Sequence, residues 1–302
     1  MTDRRRMKPA AFSYHRPRTL DDALSLLALH GLDAKVIAGG QSLAPMMNMR
    51  FAQPAHLIDL NALPQLAGVT LEAGTLVIGA MTRHHEIATS IIVRAVCPLL
   101  AEAAATIGHY AIRQRGTLGG SLAHADPAAQ LPLIASTLGA RIEIVGPDGS
   151  REVPAAQFLI AVMTTDLASE EIIRAVRFPV AAPLERHAFE VFSRRHGDFA
   201  IAACAVTAVL AGDTFSSLRI GVGGVADVPL VLDDVAAGFL GETADARTVV
   251  RIANAVAGAI EPYDQAEISA AYRRDLVKAL MTRALQRVTA GIAGIAGTEQ
   301  HG

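Results

Sequence analysis

Two short glycine-containing segments have residue types that suit the binding of an anion. The first glycine segment is residues 38–43, Ala-Gly-Gly-Gln-Ser-Leu, and the second is residues 116–121, Gly-Thr-Leu-Gly-Gly-Ser. Because glycine has no Cβ, its backbone amide can approach a ligand closely, and amides together with a hydroxyl can hydrogen-bond an anionic oxygen. One Gly-Gly pair indicates only a turn. Two segments of similar design predict the two halves of a diphosphate site.

The elements expected around the first glycine segment could position it for ligand binding. Residues 12–17 predict an edge strand that a proline ends. Residues 19–22, a threonine followed by two acids, predict the start of a helix that stops at Gly31. A short strand at residues 35–38 then leads into the glycines, and a helix is expected from residue 42 to about 49. This order of strand, glycine turn and helix suits a phosphate site.

The region before the second glycine segment predicts alternating strands and helices. Thr82 is expected to cap a helix containing His84 and His85. Because these histidines are adjacent, their side chains point about 100° apart and cannot hold one metal from the same helix face, so no metal site is expected. Residues 108–115 are expected to be a connection. The other elements expected here are strands at 56–60 and 75–80, a helix at 98–107, and short helical pieces over 122–138.

The rest of the chain predicts a change of architecture after residue 140. Alternating residues predict strands at 141–145, from 151 onward and at 171–178, and the Ala-Ala-Pro sequence at 181–183 is the expected domain boundary. We therefore expect domains at 1–180, with subdomains at about 7–61 and 62–180, and at 184–290, followed by a tail at 291–302. Beyond the boundary the expected elements are strands at 188–192, 200–210 and 217–222 and helices at 244–257 and 267–289.

Composition excludes several classes of protein. The 302 residues are 51% hydrophobic, typical of a folded α/β or α+β enzyme, and the net charge of −2 gives no field that would recruit nucleic acid or anionic lipid. The basic run at residues 4–6 is expected to be a solvated tail. No apolar run reaches membrane-spanning length and no signal peptide is recognisable, which predicts a cytoplasmic protein.

The two cysteines exclude other cofactor sites on this chain. Cys97 and Cys204 are far apart in sequence and form no CxxC pair. An iron–sulfur cluster or a structural zinc site of the usual kind needs four such ligands. We therefore expect two buried, free thiols in a reducing compartment.

With both glycine segments placed, the chain resembles the FAD-binding medium subunits of the molybdenum hydroxylases. This family includes the carbon-monoxide dehydrogenase flavoprotein and the flavin domain of xanthine dehydrogenase. Residues 38–42 and 117–121 match its two flavin motifs. Residues 193–195 with Asp198, and residues 221–226, resemble its C-terminal signatures. The resemblance extends from about residue 7 to about residue 287.

The resemblance implies an α+β protein: a two-subdomain FAD-binding fold of the PCMH/VAO-like type, followed by a C-terminal α+β domain with a small antiparallel sheet. FAD would lie between the subdomains, and the resemblance assigns no catalytic residue to this chain. The backbone of Ile173 would lie near the isoalloxazine ring. The positions that would hold the rest of the cofactor are Lys35, Ala38, Gly39, Gly40, Gln41, Ser42, Leu43, Gly116, Thr117, Gly119, Gly120, Ser121 and Gln130.

Three positions depart from the family pattern. Gln130 stands where relatives often carry an acid, and its amide can still hydrogen-bond the flavin side chain without charge. No lysine occurs around Glu190, where many relatives place one near the ring. Phe199 replaces a tyrosine of some relatives and keeps the stacking face without the hydroxyl. The second departure leaves the flavin potential and the electron acceptor open, because such a lysine could favour the reduced anionic flavin through its charge.

The resemblance implies an electron-transfer subunit. Its partners would be a large subunit with the molybdenum cofactor and a small subunit with two 2Fe-2S clusters, and an external acceptor would take the electrons. A stand-alone FAD oxidase or dehydrogenase with its own substrate pocket is the alternative, although neither glycine segment contains the His or Cys that a covalent flavin link would need. A binding or assembly module that has lost FAD is a third interpretation. Residues 221–226 predict a hairpin turn, since they lack the strand–GxGxxG–helix context of a Rossmann site.

Overall fold

The N-terminal unit is a three-stranded parallel sheet with a helix packed on it. The computed structural model describes residues 8–265 and 268–291. The strands lie in the order β1-β3-β2 and both pairs are parallel. Thr19 caps the first helix by accepting a hydrogen bond from the amide of Asp22. The elements are β1 Ser13–His15, α1 Leu20–His30, β2 Ala34–Ile37, α2 Leu43–Asn48 and β3 His56–Asp59, with 3-10 turns at Gly31–Asp33, Leu60–Ala62 and Pro64–Leu66.

The second unit contains a five-stranded antiparallel sheet in the order β4-β5-β10-β6-β7. A helical layer covers one face of this sheet, and two short strands form a separate ribbon. The strands are β4 Val69–Glu72, β5 Thr75–Gly79, β6 Arg141–Gly146, β7 Gly149–Pro154, β8 Leu159–Ala161, β9 Thr164–Thr165 and β10 Ile172–Pro179. The helices are α3 His84–Thr89, α4 Ile91–Val96, α5 Pro98–Ala105, α6 Tyr110–Arg115, α7 Leu118–His124, α8 Gln130–Thr137 and α9 Ala155–Phe158.

The C-terminal unit is a four-stranded antiparallel sheet in the order β11-β12-β13-β14, packed against long helices. Asp245 and Ser269 cap the two long helices, each accepting a hydrogen bond from a backbone amide of the first turn. The elements are β11 Arg186–Phe192, β12 Ala202–Ala211, β13 Thr214–Gly223, β14 Leu230–Val231, α10 Asp233–Ala237, α11 Ala246–Ala259 and α12 Ala270–Thr289.

Strand β12 is buried on both faces and joins two hydrophobic cores. Ala203 and Ala205 belong to the core of the second unit, whereas Cys204 and Val206 belong to the core under α11 and α12. Such a strand is hydrophobic almost continuously instead of alternating. The C-terminal sheet is therefore packed between its own helices and the second unit.

Two local expectations are wrong. Thr82 does not cap the next helix: its hydroxyl bonds the backbone of Gly68, and α3 begins after Arg83. Residues 108–115 are not a simple connection, because α6 occupies most of them. The sequence analysis also missed β4, whose partner is β5, and α4.

The other expected elements lie within a few residues of the observed ones, which is the usual uncertainty of element ends. The basic run at residues 4–6, the start of the last helix at 267 and the tail from residue 292 lie outside the described residues. In the part of the chain that is described, no helix combines the length and apolar character needed to cross a membrane.

Candidate functional site

The two glycine segments, separated by more than seventy residues in the chain, lie in direct contact. A Cβ added to Gly39 would lie 2.1 Å from the carbonyl oxygen of Arg115 and 2.9 Å from the Cα of Gly116. A Cβ on Gly120 would lie 3.6 Å from the Cβ of Ala38. The structure therefore brings together the two halves of the site that the sequence predicts.

The first glycine segment leaves polar groups available to a ligand. Gly40 has φ +70°, the left-handed conformation that favours glycine. Among the described residues, no acceptor is bonded to the backbone N–H groups of residues 39–43. Ser42 precedes α2 without capping it, so its hydroxyl is also not used by the helix. A row of unpaired amides that is only partly buried suits an anionic oxygen.

The second glycine segment differs from the expected turn. Gly119 and Gly120 lie in the first turn of α7, and Thr117 caps that helix by accepting a hydrogen bond from the amide of Gly120 at 3.1 Å. The amides of Leu118, Gly119 and Ser121 donate to backbone carbonyls. The expectation of free amides here is therefore wrong, because the helix and its neighbours already use them. The Ser121 side chain, half-buried, remains available.

Close packing explains the glycines of the second segment. The amide of Gly119 donates to the carbonyl of Ala80 at 2.8 Å, and a Cβ on Gly119 would lie 2.6 Å from the Cβ of Ala80. A Cβ on Gly116 would lie 2.6 Å from the Cε1 atom of His84. Gly119 therefore lets α7 pack closely on the residue that follows β5, and Gly116 lets the chain before α7 pack on α3. This packing fixes the position of Ser121 on α7.

An arginine and an asparagine that the sequence analysis missed join the two segments. The Asn61 side chain donates to the carbonyl of Ala38 at 2.8 Å, and its amide oxygen accepts from Arg83 at 2.6 Å. Arg83 also donates to the carbonyl of Arg115. The bridge therefore holds both segments and places a guanidinium beside them. No local sequence motif predicts this bridge, since Asn61, Arg83 and Arg115 are far apart in the chain.

The neutral side chain and the backbone of His84 both hydrogen-bond the second segment. Its Nε2 donates to the carbonyl of Thr117 at 2.9 Å, and its amide donates to the carbonyl of Gly116 at 3.0 Å. Burial lowers the pKa of His84 to about 4, despite the opposing effect of the Thr117 carbonyl. These contacts make His84 a structural support of the second glycine segment.

The remaining predicted site residues lie at different distances from the segments. Ile173 lies on β10, next to Arg174. The carbonyl of Arg174 accepts a hydrogen bond from the amide of Ala80, and Ala80 in turn contacts Gly119 of the second segment. Ile173 is therefore near the second segment but is linked to it only through these neighbours. Gln130 is buried at the first position of α8. Lys35 is exposed on β2, ahead of the first segment.

Two of the positions that depart from the family pattern lie in the C-terminal unit. Glu190 forms an ion pair with Arg287 at 3.0 Å, so an arginine lies where the sequence lacks a lysine, although it comes from a different element. Phe199 is 67% exposed, as are several other large apolar side chains of the protein. An exposed ring of this kind can stack on a planar group.

Residues 221–226 end β13 and turn toward β14, as the hairpin interpretation predicts. They pack on α8: a Cβ on Gly221 would lie 1.9 Å from the hydroxyl of Thr137. The buried Arg273 donates to the carbonyls of Ile201 and Gly224. This segment is therefore a packing surface between the units.

The charge and amides at the junction suit a diphosphate. The unpaired amides of the first segment and the Arg83 guanidinium supply hydrogen-bond donors and positive charge, and the hydroxyls of Ser42 and Ser121 add donors. The cysteines take no part, since both are buried and free, and burial raises the pKa of Cys97 to about 12.

Comparisons with known proteins agree with this geometry. The family described as the FAD binding domain in molybdopterin dehydrogenase matches residues 10–181, and the CO dehydrogenase flavoprotein C-terminal domain matches residues 187–288. The carbon monoxide dehydrogenase medium chain of Hydrogenophaga pseudoflava is 39% identical, over 95% of this chain and 100% of its own.

Two further relatives are named for other substrates and also match nearly the whole chain. The 6-hydroxypseudooxynicotine dehydrogenase complex subunit alpha of Paenarthrobacter nicotinovorans is 38% identical, over 93% of this chain and 95% of its own. A chain of quinoline 2-oxidoreductase from Pseudomonas putida 86 superimposes with a TM-score of 0.91 at 34% identity, over 95% of this chain and 99% of its own.

Proposed function

The chain belongs to the family of FAD-binding subunits of molybdopterin dehydrogenases, and we propose that it is the FAD-carrying electron-transfer subunit of a heterotrimeric molybdenum hydroxylase. Electrons would come from 2Fe-2S clusters on a small partner subunit and leave to an external acceptor. A large partner subunit would hold the molybdenum cofactor and oxidise the substrate. The observation that carries the proposal is the contact between the two glycine segments beside Arg83.

We propose that the junction of the segments holds the FAD diphosphate. The amides and Ser42 hydroxyl of the first segment would bind one side, and Thr117, Gly120 and Ser121 would line the other. Gly39, Gly116 and Gly119 would act through close packing, because a Cβ on any of them meets a neighbour within 2.6 Å. Lys35 and Gln130 are proposed to contact other parts of FAD.

The residues present fit FAD. Amides that lack an acceptor, a glycine with positive φ and a half-buried cationic bridge suit a diphosphate. An exposed aromatic ring, Phe199, is available for the flavin ring to stack on. When bound, FAD supplies the redox chemistry, and the protein supplies its binding, orientation and electrostatics.

The chain's own residues are consistent with partners that hold the other cofactors. Cys97 and Cys204 are both buried and cannot ligate a cluster that needs four thiolates. Within the same proposal, residues 1–180 and 184–290 are two domains, the first with subdomains at 7–61 and 62–180, and the complex is cytoplasmic. The relatives' names cover several substrates, so the substrate is chosen outside this chain.

The test is purification of the affinity-tagged chain from its native host. We expect two further proteins to co-purify, with one FAD per copy of this chain and molybdenum and iron in the assembled complex. A native monomer that carries no FAD and binds none when it is added would contradict the proposal. Reduction of the isolated chain by a small substrate, without partners, would favour the stand-alone enzyme instead.

A further inference from the structure

Three histidines from three separate elements meet on the N-terminal unit. His15 lies on β1, His30 ends α1 and His56 begins β3. One ring nitrogen of each lies within 4.8 Å of the others. These residues, the histidine cluster, take no part in the proposed FAD site.

The rings of the histidine cluster are stacked closely. The centroids of His30 and His56 are 3.6 Å apart with an interplanar angle of 11°, and His15 lies 5.2 Å from each. His15 Nε2 and His56 Nδ1 are 3.0 Å apart. One of those two nitrogens must donate and the other accept, so at least one of the two rings is neutral.

The hydrogen bond between His15 and His56 is compatible with metal binding, because it requires at least one neutral imidazole. Neutral imidazole is the form that binds a transition metal.

From this arrangement we propose that His15, His30 and His56 bind a divalent transition metal ion of the zinc, cobalt or nickel class. Three imidazoles at metal–nitrogen distances of about 2.0–2.1 Å are the ligand set of a tetrahedral site with one open position. A tetrahedral site separates the nitrogens by about 3.3 Å, so they would close from separations of up to 4.8 Å, and the stacked rings of His30 and His56 would rotate until their lone pairs converge. Among the described residues, no carboxylate or thiol joins the cluster, so water fills the fourth position.

The location indicates a structural or regulatory metal. His56 pairs with Ala34 at the start of β2, whereas the first glycine segment follows the end of β2 beyond Ile37. Three residues of strand separate these positions by about 10 Å. A metal there would join β1, β3 and the end of α1. Its ligand His15 is in register with Ile58 and Val36, closer to the glycines than His56 is.

The test is a titration of the untagged, chelator-treated chain with Co²⁺, followed by its visible absorption, and then displacement by Zn²⁺. We expect one equivalent to bind. His15→Gln, His30→Gln and His56→Gln should each weaken binding by about 100-fold or more, because losing a supporting residue alone costs 10–100-fold. His124→Gln, which alters a histidine outside the cluster, should bind as the wild type does.

A second measurement keeps the test independent of how the variants fold. In the wild-type chain, bound Zn²⁺ should protect His15, His30 and His56 from modification by diethyl pyrocarbonate, mapped by mass spectrometry. No bound Co²⁺ in the wild type, unchanged affinity in a folded cluster variant, or equal modification with and without Zn²⁺ would each overturn the proposal. None of these outcomes depends on whether the chain carries FAD.

Discussion

The backbone at Gly39 lies so close to the carbonyl of Arg115 that no side chain fits between them: a Cβ at position 39 would be 2.1 Å from that oxygen. The contact joins the first unit to the second. It also sets the separation of the two glycine segments, and the proposed diphosphate site depends on that separation.

Gly39→Ala should therefore loosen FAD binding and lower stability together. The new methyl group would force the backbone at Arg115 to move, an overpacking that costs about 1–3 kcal/mol. We expect FAD affinity to fall by about tenfold or more and the melting temperature to fall by several degrees. Fluorescence titration with FAD and thermal unfolding measure the two effects.

The matched control is Gly258→Ala on α11, where a Cβ would meet nothing within 4 Å. That variant should bind FAD normally and be slightly more stable, because alanine has the higher helix propensity. Unchanged FAD affinity in Gly39→Ala would mean that the contact does not shape the site.

Arg83→Gln should weaken FAD binding, because it removes both the hydrogen bonds that join the two segments and a positive charge beside them. The substitution removes the donors to Asn61 and to the carbonyl of Arg115 and also removes a charge. Hydrogen bonds from a charged donor contribute about 1.5–3 kcal/mol each, so we expect FAD affinity to fall at least about tenfold. Isothermal titration calorimetry of the apo chain measures it.

Arg83→Lys tests which property matters. Lysine keeps the charge but cannot reach two acceptors with a planar fork. If the bridge positions the segments, the lysine variant should recover little affinity. Full recovery would show that charge alone matters, and wild-type affinity in Arg83→Gln would remove Arg83 from the site.

His84 should make stability depend on pH. Its pKa is lowered from 6.5 to about 4 in the folded chain, so the unfolded chain takes up a proton between pH 6.5 and pH 4 while the folded chain does not. Stability therefore falls as pH falls through this window, by roughly 3 kcal/mol in total. Urea unfolding at pH 7, 6 and 5 measures it.

His84→Gln provides the comparison, since its amide can still donate to the carbonyl of Thr117. The variant should be less stable than the wild type at pH 7, with the difference shrinking toward pH 5. A difference that stays constant with pH would contradict the prediction, because it would show that folding does not shift the pKa of His84.

Both thiols should be inert while the chain is folded. Cys97 and Cys204 are buried, and burial raises the pKa of each thiol, that of Cys97 to about 12. Because the thiolate is the reactive form, Ellman's reagent at pH 8 should release no colour from the native chain and two equivalents after denaturation. Rapid reaction of either thiol in the native chain would contradict this prediction.

The sequence could predict those parts of the fold that depend on local signals. The cap at Thr19, the stop at Gly31 and the positive φ at Gly40 follow from residue types at fixed offsets. Short elements were harder to predict. The four residues of β4 and the six of α6 carry too little periodicity to separate from loop, and their formation depends on partners elsewhere in the chain.

The site itself could be predicted only in outline. The glycine motifs identify which segments meet, but the bridge from Asn61 through Arg83 to Arg115 exists only in three dimensions. The error at the second segment has a physical cause as well. Free amides are expected of a turn, whereas a threonine three residues before a backbone N–H at a helix start is an N-cap, and Thr117 accepts from the amide of Gly120 in this way.

Helix α8 limits where this protein could be cut into fragments or recombined with a relative. All eight of its residues are buried, and the glycines of β13 lie against Leu133 and Thr137. The two matched families are separated in sequence between residues 181 and 187, yet the surface where they meet lies on α8. A fragment that ended at the sequence boundary would expose this apolar helix to water. A chimera between relatives would need α8 and β13 to come from the same parent.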